Sequence, residues 1–206
     1  YKTRLDLWSN LLDTVRDLAS SNNEEIAVES LKCFNDLMSN SALVSPTITH
    51  NHSKHETNED SIVKCHAWTI WLDIGHASQD HFVHRSPDSQ FLRLLLRLFI
   101  LLFDLAKDLV EPKTISKSYC VFKHIVEIPF VQLQTPLNRR PPLLIAFNSD
   151  EMLTCHRLLL DCVKTMCQEL SLTSSPMNTL SAEFVMFCTS LANSCWEYTK
   201  CMDYDV

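Results

Sequence analysis

From Phe91 to Val110 the chain reads Phe-Leu-Arg-Leu-Leu-Leu-Arg-Leu-Phe-Ile-Leu-Leu-Phe-Asp-Leu-Ala-Lys-Asp-Leu-Val, and this stretch limits what the whole can become. At about 100° per residue, Arg93, Arg97, Asp104, Lys107 and Asp108 fall within about 100° of one another. The segment therefore reads as a helix with one narrow polar stripe and an apolar surface around the rest of its circumference. Such a helix must be covered on several sides, by other helices or by lipid. Ser86 as a cap, Pro87 at the first helical position and Asp88 beside the positive helix end predict where it starts.

Lipid is the poorer cover. The longest charge-free run, Leu98 to Phe103, is far short of the roughly 20 residues a membrane span needs. Each charge held near a bilayer centre costs about 2.5–3.5 kcal/mol. The expectation is a central inner helix in an all-α stack.

Glycine usage narrows the function. The chain has a single glycine, Gly75, in 206 residues, where average usage of about 7% predicts roughly fourteen. Phosphate-cradling loops, nucleophile elbows and dinucleotide-binding turns need glycine for close backbone approach or positive φ. None of them can be built here. A formal net charge of −7 argues against a general nucleic-acid binder, which needs a basic face. Nine cysteines, with no C-x-x-C pair, read as reduced, buried thiols of a cytosolic protein rather than a disulfide frame. The chain begins at Tyr1 with no signal-peptide pattern, so it reads as an internal or C-terminal piece of a longer polypeptide.

Taken in order, periodicity predicts a first helix over about 2–19, with Leu5, Trp8, Leu12, Val15 and Ala19 on its buried face. A second follows to about Met38, opened by Ser21 with Glu24 or Asn22 with Glu25 and buried through Ala27, Leu31, Phe34 and Met38. Residues 39–60 read as a flexible surface insertion. A helix over 61–75 would end at Gly75 in a left-handed cap, pairing with the long helix to Val110. A helical stretch over 114–126 leads into an extended, proline-rich connection over 127–148. Ser149-Asp150-Glu151 opens a further helix with Met152, Leu153, Leu159, Cys162, Val163 and Met166 buried. Ser175-Pro176 opens the last, to about Tyr198, with Leu180, Phe184, Phe187, Leu191 and Cys195 as its stripe. Helix pairs at 2–38, 61–110 and 149–198 follow the plan of a HEAT/armadillo-like α-solenoid of stacked antiparallel pairs.

Several clusters carry possible chemistry. His50, His52 and His55, with Cys65, His66, His76, His81 and His84, offer zinc-type ligands, but their spacing fits no closed zinc motif and a solvated loop explains them better. Cys155/Cys162 and Cys188/Cys195 are each seven apart on one helix face, which core packing explains. Trp68 and Trp71 lie one turn apart and read as core, with a partner-docking patch as the competing reading. Arg139-Arg140 reads as exposed linker rather than a lipid contact. Ser45-Pro46, Ser86-Pro87 and Ser175-Pro176 are phosphorylation candidates, the latter two better used as caps. No carboxylate pair, nucleophile–base pair or glycine-rich loop stands out. The expectation is no enzyme, no resident metal or cofactor and no small-molecule substrate.

Two stretches resemble a known family. Val15 to Met38, with Ser21-Asn22-Asn23-Glu24-Glu25-Ile26-Ala27 and Leu31-Lys32-Cys33-Phe34-Asn35-Asp36-Leu37, resembles a helix pair of the Mon-two family. Ala67-Trp68-Thr69-Ile70-Trp71-Leu72-Asp73-Ile74-Gly75 is similar to the Trp-rich helix that follows a variable insertion in that family. The resemblance, direct over about Arg4 to Gly75, implies a C-terminal-half fragment of a HEAT-repeat scaffold related to the large Arf guanine-nucleotide-exchange factors but without their exchange domain. It implies a cytoplasmic protein, peripheral on Golgi and endosomal membranes, acting in endosome-to-Golgi transport. Dopey-type proteins and small GTPase machinery are the implied partners. The alternative it leaves is a regulatory helical region of an active Arf exchange factor.

Overall fold

In the computed structural model, the long apolar helix starts at Gln90, later than Pro87. Ser89 caps it from extended backbone (φ −62°, ψ 150°), its Oγ accepting from the Leu92 N–H at 3.3 Å. Ser86, Pro87 and Asp88 lie outside the described residues, which are 2–40, 58–78, 89–134, 154–172, 185–189 and 193. These are almost wholly helical, with no strand among them. In chain order the helices are α1 (Lys2–Ala19), α2 (Glu24–Asn40), α3 (Asn58–Ala77), α4 (Gln90–Ala106), α5 (Pro112–Gln134) and α6 (Thr154–Leu172).

Helix α4 stops at Ala106 rather than Val110. The Leu109 and Val110 N–H groups both turn back to the Ala106 carbonyl, at 2.9 and 3.0 Å. Pro112 disfavours helical backbone at the residue before it, Glu111, and then serves as the first position of α5, where no N–H is needed. Between its ends α4 buries Phe91, Leu92, Leu95, Leu96, Leu98, Phe99, Leu102, Phe103 and Ala106. Arg97, Asp104 and Asp108 are exposed, with Arg93 and Lys107 half-buried beside them. The cover is protein: α4 packs on α2, α3 and α6. No described helix is long and apolar enough to cross a membrane.

The first two helices form a hairpin across a four-residue turn. Its cap is neither of the two expected pairs. Asn23 stands immediately before the first helical residue, so its Oδ1 accepts from Glu25 N–H (3.0 Å) and Ile26 N–H (3.3 Å). The second hairpin, α3/α4, is antiparallel by its contacts: Trp71 meets Leu95, Trp68 meets Phe99 and Phe103, and Cys65 reaches the Leu109 carbonyl. Along α1 and α3 the contacts instead rise together. Arg4 bonds Asp60 at 3.3 Å, and Asp13 lies 3.8 Å from His66. So α1 and α3 run the same way, α2 and α4 likewise, and the two hairpins lie side by side in one sense.

Other boundaries move for physical reasons. Of the expected insertion over 39–60, Ser39 and Asn40 belong to α2 and residues 58–60 to α3, where Asp60 is held by Arg4. Residues 41–57 lie outside the described set. Gly75 is no cap: it sits inside α3 and is buried where α5 crosses. A Cβ there would meet both methyl groups of Val121 at 2.8 Å. Helix α5 continues to Gln134, through Pro129, so 127–134 are helical rather than extended. Pro129 lacks an N–H, which removes one bond from the ladder without ending it. The Arg139-Arg140 stretch lies outside the described residues.

In α6, Cys155, Leu159, Cys162 and Met166 are buried and Val163 is half-buried, matching the expected stripe; Met152 and Leu153 lie outside the described residues. Of the expected last helix, residues 185–189 and 193 are helical, and Phe187 stacks on Tyr119 with ring centroids 4.8 Å apart. Leu180, Phe184, Leu191 and Cys195 lie outside the described set.

The crossing at Gly75 gives a test. Gly75→Ala gains about 1 kcal/mol in helix propensity but forces Val121 aside, an overpacking cost of about 1–3 kcal/mol. Urea unfolding should show a net loss, and adding Val121→Ala should recover part of it by making room for the new methyl.

Candidate functional site

Trp68 and Trp71 are the side chains with the strongest claim to bind a partner, and both are withdrawn from solvent, at 1% and 0% exposure. Their rings sit 5.9 Å apart. Phe99 packs on both, at 5.5 and 5.2 Å, and Phe122 meets Phe99 edge-on at 4.8 Å. The Trp71 indole N–H donates to the Leu95 carbonyl of α4 at 2.8 Å. This cluster is the seam between α3, α4 and α5 and offers nothing to a partner.

The other candidates fall apart in space. His66 sits beside Asp13 of α1, whereas His76, near the far end of α3, faces His124 of α5. Among the described residues no three His, Cys, Asp or Glu side chains come together to hold a metal. His50, His52, His55, His81 and His84 lie outside that set, as do Ser45-Pro46 and Ser175-Pro176. Of the cysteines expected to be buried, Cys155 and Cys162 are, with Cys162 Sγ 3.4 Å from the Leu96 carbonyl, whereas Cys33, Cys120 and Cys167 lie on outward helix faces and are exposed. Burial pushes the Cys162 thiol well up, with Asp161 adding to it, so this sulfur is held as the unreactive thiol.

What remains is a surface that the sequence reading missed. On the side of the first hairpin not covered by α3 and α4, two depressions of about 580 and 430 Å³ lie between α1 and α2. Trp8, Cys33 and Leu37 line the first, and Val15, Leu18, Ile26 and Cys33 the second. Both include Glu29 and Cys33, so they join into one groove. Leu18 and Ile26 are 45% and 43% exposed, and Leu7, three turns before Leu18 on the same α1 stripe, is 67% exposed. Carboxylates of Glu25, Glu29 and Asp36 edge the groove along α2.

A signal for this face was present. In α1, Leu7, Leu11 and Leu18 share a stripe about 100° from the core-facing positions, and in α2, Ile26 and Cys33 stand seven apart. One apolar face was enough to predict each helix, so the second went unread. A second apolar face on a helix is one that another helix can cover.

Two measurements probe the site's surroundings. Trp71→Ala should cost about 3–5 kcal/mol in urea unfolding, as for a large aromatic removed from a core. Trp71→Phe should cost less, losing the bond to Leu95 but keeping most of the ring packing. Partial burial lowers the pKa of His76, and His124 and Lys117 lower it further against an opposing Asp73. The unfolded chain then binds that proton more readily, so stability should fall as pH drops through the ordinary histidine range, from about pH 7 to about pH 5. His76→Asn should flatten that part of the profile.

Compared with protein-family models, with curated proteins and with solved structures, the chain has no match.

Proposed function

We propose that this chain is a segment of a non-enzymatic, HEAT/armadillo-like helical-repeat scaffold of the Mon-two type, acting in endosome-to-Golgi transport while peripherally attached to Golgi or endosomal membranes. The observation that carries the repeat reading is the shared direction of the two hairpins, with Arg4 on Asp60 and Asp13 beside His66 along parallel α1 and α3. Stacked repeats bury each unit's apolar face against its neighbours. The outer face of α1/α2, with Leu18 and Ile26 open, is the surface such a unit presents. The trafficking route is argued from the resemblance of Val15–Met38 and Ala67–Gly75 to that family.

On this reading the work is presentation. Rigid helices hold partner-binding side chains in register, and no bond is made or broken. Dopey-type proteins and small GTPase machinery are the partners to try first. The chain expressed with a fluorescent tag should concentrate on Golgi or endosomal membranes and co-precipitate a Dopey-type protein. A uniformly diffuse signal with no such capture would reject the trafficking reading. A change in the rate of nucleotide exchange on Arf when the chain is added to an exchange domain would favour the regulatory region of an exchange factor instead.

A further inference from the structure

The groove on the outer face of the first hairpin carries more than an apolar surface. Its floor includes two small side chains, Ser30 and Cys33. The Ser30 hydroxyl donates to the Ile26 carbonyl at 2.7 Å, so covering it strands no polar group. Small residues between two ridges let a third helix come close. Leu18 and Ile26 form one wall where α1 and α2 meet, and Trp8 and Leu37 form the other end. The shape suits a rod laid along the hairpin.

The charge on the rim says what kind of rod. Glu25, Glu29 and Asp36 are spaced by four and then seven residues, which puts them within about 40° of one another on α2. At 1.5 Å per residue they extend over roughly 16 Å. Glu29 is engaged by Lys32 at 2.6 Å, and among the described residues Lys32 is the one cation lining the groove. Three carboxylates against one ammonium make the edge acidic. A second copy of the same face would oppose this row with its own carboxylates, and an anionic bilayer would be repelled by it.

We propose that this groove receives one amphipathic helix from a protein partner, apolar face inward, with Lys or Arg along one flank at the spacing of Glu25, Glu29 and Asp36. The anchors fill the two depressions in the manner of helix-in-groove recognition, and the cations select partner and orientation. The proposal rests on the reading of the chain as a presenter of surfaces and not on the trafficking route.

The test uses the whole chain and a labelled synthetic helix of about 18 residues, with Leu at helical spacing on one face and Lys at spacings of four and seven on the flank. Fluorescence anisotropy should show this peptide binding at least tenfold tighter than a shuffled peptide of the same composition or one with Glu in place of Lys. Binding should weaken as salt rises. Glu25→Lys with Asp36→Lys, both on the surface, should lose about tenfold for the Lys peptide and gain for the Glu peptide. Leu18→Ser with Ile26→Ser should weaken both, with an unchanged far-UV spectrum showing that the fold is intact. If a substituted chain does not fold, the peptide swap on the unaltered chain decides by itself.

Equal binding of the shuffled peptide, or charge reversal that fails to follow the peptide's charge, overturns the proposal. So does a concentration-dependent dimer abolished by Leu18→Ser with Ile26→Ser, or capture by phosphatidylserine vesicles lost in the same variant. Peptide binding without Golgi or endosomal recruitment would leave the groove standing and remove the trafficking route; recruitment without peptide binding would do the reverse.

Discussion

Everything in this fold leans on covering α4. A helix with fourteen large apolar side chains in the stretch from Phe91 to Val110 cannot be shielded by one neighbour, and three helices close around it. The closest fit is aromatic. Phe99 meets Trp68, Trp71 and Phe122, and Phe122 also meets Trp71, in the tilted and edge-on arrangements that ring quadrupoles favour. The Trp71 N–H fixes the register of the second hairpin by reaching the α4 backbone. Trp68 makes the opposite trade: its Nε1 is buried with no acceptor among the described residues, at a cost of about 1–3 kcal/mol. Its ring contacts with Trp71, Phe99 and Phe103 hold it there regardless.

Backbone freedom is used just as sparingly. With one glycine in the chain, that residue is placed where α5 crosses α3 too closely for a side chain, not where a helix ends. Helix ends are handled by side chains and proline instead: Asn23 and Ser89 cap α2 and α4, and Pro112 opens α5. A molecule assembled this way holds helical surfaces at fixed spacing, which is what the proposed scaffold role asks of it.

The two hairpins differ in what covers them. The second is enclosed by α5 and α6 and by the first hairpin, and its most aromatic residues are all inside. The first is covered on one side, leaving the groove between Trp8, Leu18, Ile26 and Leu37 with its acidic edge. Among the described residues the open apolar surface thus lies on the first hairpin, and not at the tryptophans that drew notice first.

Periodicity and composition by themselves determined that the chain is helical, that Phe91–Phe103 lies at its centre, which faces of α1, α2 and α6 are buried, and that Trp68, Trp71, Cys155 and Cys162 belong to the core. Those properties are local: a 3.6-residue repeat with one polar stripe has few other solutions. Tertiary structure decided the rest. Gly75 looked like a cap because a glycine after an apolar run usually is one; only the approach of Val121 shows why a side chain is excluded. Pro129 looked like a break because helix propensity counts its missing N–H, yet the loss of one ladder bond does not end α5, which continues to Gln134. Asn23 and Ser89 displaced the expected caps because a cap is chosen by which oxygen reaches the second and third N–H groups, a matter of about an ångström. The parallel direction of α1 and α3 depends on contacts between residues more than fifty positions apart, which no local pattern encodes.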